Sequence, residues 1–123
     1  MFLLSVEGHF SAAHQVTGYP GDCAGMHGHT YKVQAKVAVN HLDDLGMAMD
    51  FRTIQNTLQD VLKKIDHTTL NDHPYFKERN ATTEHIARYI YEEMYKAISM
   101  IDSVTVWEGH TSSVTYYETT EKE

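Results

Sequence analysis

Hydrophobic and polar residues alternate at the start of the chain, shift to a helical repeat in its middle, and alternate again near its end. Residues 2–10 read as a strand that closes at Ser11-Ala12-Ala13-His14. Residues 15–26 hold Gly18, Pro20, Gly21 and Gly25 and read as a loop, longer than most connections and of a length that tends to carry function. Over 27–39, Tyr31, Val33, Ala35, Val37 and Val39 share one parity, and Lys32, Gln34 and Lys36 the other. That pattern predicts a strand with one buried face. Residues 40–49 connect to Asp50, a helix N-cap candidate. Phe51, Ile54, Leu58, Val61, Leu62 and Ile65 then form an apolar stripe with helical spacing. This helix ends near Asp66-His67, ahead of the turn residues Asn71-Asp72-His73-Pro74. A second helix begins near Thr82 or Thr83, with Glu84 in its first turn, and buries Ile86, Ile90, Met94, Ala97 and Ile98. Residues 103–108 and 113–118 read as two closing strands around the turn Gly109-His110-Thr111-Ser112.

The order ββααββ predicts an α+β fold, a four-stranded antiparallel sheet with both helices on one face. Such a sheet has two open edges, which implies edge-to-edge oligomerisation. The chain reads as one domain over 1–118, with a frayed tail over 119–123.

Composition narrows the function. Seventeen acids against ten bases give a net charge of −7, and no cluster of Lys and Arg offers a nucleic-acid surface. No run of about 18 apolar residues is present, so no membrane helix is expected. The first residues carry no basic leader pattern and read as a strand rather than a signal peptide. Cys23 is the only cysteine, which fits a reducing cytosol and excludes a multi-cysteine zinc site within one chain.

Nine histidines direct attention to Cys23-Ala-Gly-Met-His27-Gly-His29. His27 and His29, two apart on a strand, share a face. Paired first and second strands bring His14 toward them, and three histidines with one open position suit catalytic zinc. Cys23 lies in a polar, Gly-rich loop, where a nearby metal favours the thiolate and a role as base or nucleophile. Asp66-His67 serves either as a local helix-end cap or, where His67 meets Cys23 in space within a subunit or across a subunit boundary, in a functional role. Glu108 ends an apolar strand and reads as an exposed strand-end carboxylate or as an acceptor for adjacent N–H groups of a ligand such as a pterin or guanine edge.

Six pieces in this order resemble the family of 6-pyruvoyltetrahydropterin and 6-carboxytetrahydropterin synthases. They are Phe10-Ser-Ala-Ala-His14, Cys23-x-x-x-His27-Gly-His29-Thr-Tyr, Met49-Asp50-Phe51, Ile65-Asp66-His67-x-x-Leu70-Asn71, Thr83-Glu84, and Trp107-Glu108 followed by Thr111-Ser112-Ser113. The resemblance implies the tunnelling fold, whose subunits join into a barrel, typically a homohexamer built as a dimer of trimers. It implies His14, His27 and His29 as zinc ligands, Cys23 as the proton-abstracting residue, Asp66 and His67 as its relay, and Glu108 as the pterin anchor. The three-residue gap between Cys23 and His27 resembles the bacterial carboxy-type branch of queuosine synthesis. That branch converts 7,8-dihydroneopterin triphosphate and water to 6-carboxy-5,6,7,8-tetrahydropterin, acetaldehyde and triphosphate, in the cytoplasm. The pyruvoyl-type reaction, or metal and pterin binding without turnover, are the alternatives on the same scaffold. Ala81, His85 and Gly109-His110 depart from residues common in the family, at the start of the second helix and in the strand-end turn.

Overall fold

The computed structural model describes residues 1–15 and 27–119, with His27 described through its backbone only. Cys23 and the tail from residue 120 onward lie outside the described residues. The chain runs β1 (Phe2–His14), β2 (His27–Val39), α1 (Phe51–Lys63), β3 (Thr68–Thr69), two short 3-10 turns (Leu70–Asp72 and Pro74–Phe76), α2 (Thr83–Ala97), β4 (Ile101–Glu108) and β5 (Ser113–Tyr116). The sheet order is β3-β1-β2-β4-β5, antiparallel except for the β1–β3 pair.

The expected α+β architecture is present, with one addition. The two-residue β3 lies parallel to β1 and makes a fifth strand. No alternating pattern announces it, because hydrogen bonds to a strand distant in sequence create it. The His67 N–H donates to the Ser11 carbonyl at 2.6 Å, and the Ser11 N–H donates to Asp66 Oδ1 at 2.9 Å. These bonds hold the chain after α1 against the C-terminal half of β1.

The core lies between the sheet and the two helices. Val6, Phe10, Tyr31, Val33, Val104 and Val106 cover the inner sheet face and are buried. Ile54, Leu58 and Leu62 of α1, with Ile86, Ile90 and Met94 of α2, close over them. Asp50 caps α1 as expected, its side chain accepting the Arg52 N–H at 2.9 Å. Thr82 caps α2 by accepting the His85 N–H at 3.2 Å.

Helix α1 packs tightly onto β1 at Gly8. A Cβ there would stand 3.0 Å from Leu62 Cδ1, 3.0 Å from Gln59 Nε2 and 3.4 Å from Leu58 Cδ2. Both leucines are packed in the core and have little room to yield. Gly8→Val is therefore expected to destabilise the fold by about 1–3 kcal/mol through overpacking. A lowered urea midpoint with an unchanged slope is the sign of this effect, and an unchanged midpoint would show that α1 shifts freely.

Candidate metal centre

The register brings chemistry to one end of the sheet. In the β1–β2 pair, Phe10 faces Tyr31, Ala12 faces His29, and His14 faces His27. In the β2–β4 pair, Tyr31 faces Glu108. His14, His29, Tyr31 and Glu108 thus share the helix-covered face at the strand ends.

His14 Nε2 lies 3.7 Å from Glu108 Oε2, and His29 Nε2 lies 3.0 Å from the same oxygen. One ligand atom from each of the three residues falls within 4.8 Å of the other two. The rings of His14 and His29 meet edge-on, with centroids 5.3 Å apart. His14 is only 3% exposed, whereas His29 and Glu108 are about one third open, so the cluster has a wall and a mouth.

Each member has a fixed orientation. His14 Nδ1 is 2.6 Å from the Ala81 carbonyl, which only accepts, so Nδ1 carries the proton and Nε2 presents its lone pair to the cluster. This is the arrangement of a metal-ligating histidine held by a carbonyl behind it. The Thr83 hydroxyl donates to Glu108 Oε1 at 2.8 Å and leaves Oε2 toward the imidazoles. The Tyr31 hydroxyl is 3.3 Å from His14 Nε2. Burial, with the Glu108 charge as the second cause, pushes the Tyr31 phenol well above the ordinary tyrosine range, so it remains a donor at neutral pH. Two imidazole nitrogens and a carboxylate oxygen form a donor set that fits a divalent cation of the zinc type.

The site residues expected from sequence divide into three groups. His14, His29 and Glu108 come together. His27 is paired with His14 in register, and its side chain lies outside the described residues, as does all of Cys23. Asp66 and His67 form a separate pair at the β1–β3 edge. Asp66 Oδ1 accepts the Ser11 N–H and stands 3.1 Å from His67 Nδ1. His67 has φ +58°, left-handed backbone that few non-glycine residues adopt, at a cost of order 1–3 kcal/mol. Its ring is 81% exposed and borders a shallow groove of about 460 Å³ with Ser11, Gly28, His29 and Thr30. Asp66 thus ties the chain after α1 to β1 rather than capping the helix, and its partner imidazole faces outward.

Two contributors had no role assigned from sequence. Thr83 lay in a quoted motif but only as a helix start, yet its hydroxyl orients Glu108. Ala81 supplies the carbonyl behind His14. A backbone carbonyl leaves no trace in residue identity, so that contact had no signal to find.

The fold and this cluster define an α+β domain with a cation-competent histidine site at its strand ends. The family model for 6-pyruvoyl tetrahydropterin synthase matches residues 3–119, and the chain belongs to that family of pterin-processing enzymes. A protein of Bacillus subtilis named 6-carboxy-5,6,7,8-tetrahydropterin synthase is 34% identical over 107 residues, covering 83% of this chain and 71% of that protein. A Synechocystis protein of the same name is 32% identical over 123 residues, covering 95% and 94%. Among solved structures, the 6-pyruvoyl tetrahydropterin synthase of Caenorhabditis elegans superposes with a TM-score of 0.84 at 26% identity, over 97% of this chain and 98% of that one.

Proposed function

We propose that this chain is a zinc-dependent lyase that converts 7,8-dihydroneopterin triphosphate and water to 6-carboxy-5,6,7,8-tetrahydropterin, acetaldehyde and triphosphate. Its place would be the synthesis of queuosine and other 7-deazaguanines. The observation that carries the reading is the His14–His29–Glu108 cluster, in a chain whose relatives from two bacteria bear the 6-carboxytetrahydropterin name. The short spacing from Cys23 to His27 supports the same branch.

In this reading His14, His27 and His29 hold zinc, which when bound would act as a Lewis acid on the substrate side chain. Glu108 holds the pterin amino and ring N–H groups, with Thr83 fixing one carboxylate oxygen. Cys23 takes a proton from the side chain, and His67, oriented by Asp66, carries it onward. Precise placement of the pterin relative to Cys23 supplies much of the advantage over solution.

The outward-facing His67 favours a site completed by a neighbouring copy. The edge of β1 not covered by the short β3, and the outer edge of β5, each present strand backbone in the single chain. Joining such edges would close a barrel and bring Asp66 and His67 to another copy's cluster. We infer a homohexamer, a dimer of trimers, of single pterin-binding domains spanning 1–118. The lone Cys23 supports a reducing, cytoplasmic setting.

The test is incubation of the zinc-loaded protein with 7,8-dihydroneopterin triphosphate, with products identified by mass. Acetaldehyde and the carboxypterin are the expected products. A product that keeps its three-carbon side chain assigns the pyruvoyl reaction instead, to which the similarity with the Caenorhabditis elegans structure points. Binding of the substrate without conversion would identify a metal- and pterin-binding protein.

A further inference from the structure

Tyr31 is fully buried between Phe10 and the cluster. Its ring stacks on Phe10 with centroids 4.8 Å apart and an interplanar angle of 15°. It meets His14 edge-on at 6.0 Å and His29 at 5.6 Å. The packing therefore directs the hydroxyl to one place, 3.3 Å from His14 Nε2.

The tautomer of His14 makes that contact consequential. Because Nδ1 donates to the Ala81 carbonyl, Nε2 of the neutral ring is the acceptor and the Tyr31 O–H the donor. The same nitrogen is the ligand atom that His14 offers to the cluster. One lone pair cannot both accept this hydrogen bond and bind a cation.

We propose that Tyr31 is a positioning residue whose hydroxyl occupies the His14 Nε2 lone pair in the metal-free chain, so that a cation must displace it to bind. The proposal rests on reading the cluster as a cation site. In the metal-free state the bond steadies the His14 ring and satisfies a buried acceptor. On loading, the O–H gives up that bond. Glu108, the cross-strand partner of Tyr31, offers a carboxylate to receive it. Tyr31 thus sets how readily the site loads without being a ligand.

The sign of the effect of Tyr31→Phe separates this role from simple support. The variant keeps the ring that stacks on Phe10 and loses only the hydroxyl. A support role predicts weaker metal binding when the hydroxyl goes, whereas displacement predicts tighter binding. Zinc titration of the metal-free proteins against a chromophoric chelator is expected to show Tyr31→Phe binding about two- to tenfold more tightly, the range of one net hydrogen bond. The metal-free variant should melt lower than wild type, and zinc should raise its melting temperature by more. In wild type, zinc should also produce a near-ultraviolet tyrosine difference signal that Tyr31→Phe lacks. Equal or weaker zinc affinity in the variant overturns the proposal alone, as does the absence of the difference signal in wild-type protein that has bound zinc. Failure of wild type to take up zinc overturns it together with the reading of the cluster.

Discussion

His29→Ala is expected to empty the metal centre and to lower turnover by on the order of a thousandfold or more. Loss of Lewis-acid stabilisation worth several kcal/mol translates into that range. His29 is the better residue for this test than His14. Its side chain is about 30% exposed, so truncation leaves a solvent-filled notch. The His14 ring is 3% exposed and bonded to a core carbonyl, and its removal would leave a buried acceptor unpaired and blur the result with instability. The measurements are metal stoichiometry of the purified variant, its melting temperature without metal, and kcat. A variant that keeps wild-type zinc content and turnover would refute the ligand assignment. Glu108→Ala is the informative contrast, since the Glu108 carboxylate touches His29 at 3.0 Å yet is proposed to hold the pterin. An anchor predicts retained zinc with a raised KM. Zinc loss in Glu108→Ala would instead make the carboxylate a ligand and move the anchoring role elsewhere.

What the sequence disclosed followed the physics of repeats. The parity of Tyr31, Val33, Ala35 and Val37 predicted a strand with one buried face, and those residues are indeed buried. The stripe from Ile54 to Leu62 predicted α1, and Asp50 caps it. These elements are specified by where apolar side chains fall, which any reading of the chain can see. β3 was invisible for the opposite reason. Two threonines have no period, and their pairing depends on the Asp66 carboxylate accepting the Ser11 N–H and the His67 N–H donating to the Ser11 carbonyl, both on a strand distant in sequence. At the site, His14 and His29 were legible because strand pairing fixes which ends meet. That Glu108 would come within hydrogen-bonding distance of His29 followed only from the β2–β4 register, which residue identities do not determine. The orientation of His67 rests on its own left-handed backbone, which residue identity does not announce, and its ring is exposed in the single chain.

Cys23→Ala is expected to keep its zinc and lose about 10²- to 10⁴-fold in turnover, the range of a positioned acid–base group. The expectation rests on division of labour. The imidazoles proposed to bind the metal sit on β1 and β2, which pair along their whole length from Phe2–Val39 to His14–His27. The proton abstraction proposed for Cys23 would use its thiolate, which alanine cannot replace and which serine replaces poorly, because an alcohol holds its proton at neutral pH. Three readouts separate the possible origins of a loss. Unchanged zinc content and melting temperature place the defect in chemistry rather than folding. An unchanged KM shows that substrate still binds through Glu108 and the metal. A pH profile of kcat/KM in wild type should carry a limb from the Cys23 thiol, and that limb should vanish in Cys23→Ala. Full activity in Cys23→Ala would remove the cysteine from the mechanism and leave Asp66-His67 as the remaining base candidate. A loss of zinc would instead bring Cys23 into the metal's coordination sphere and turn its spacing from His27 into a ligand spacing.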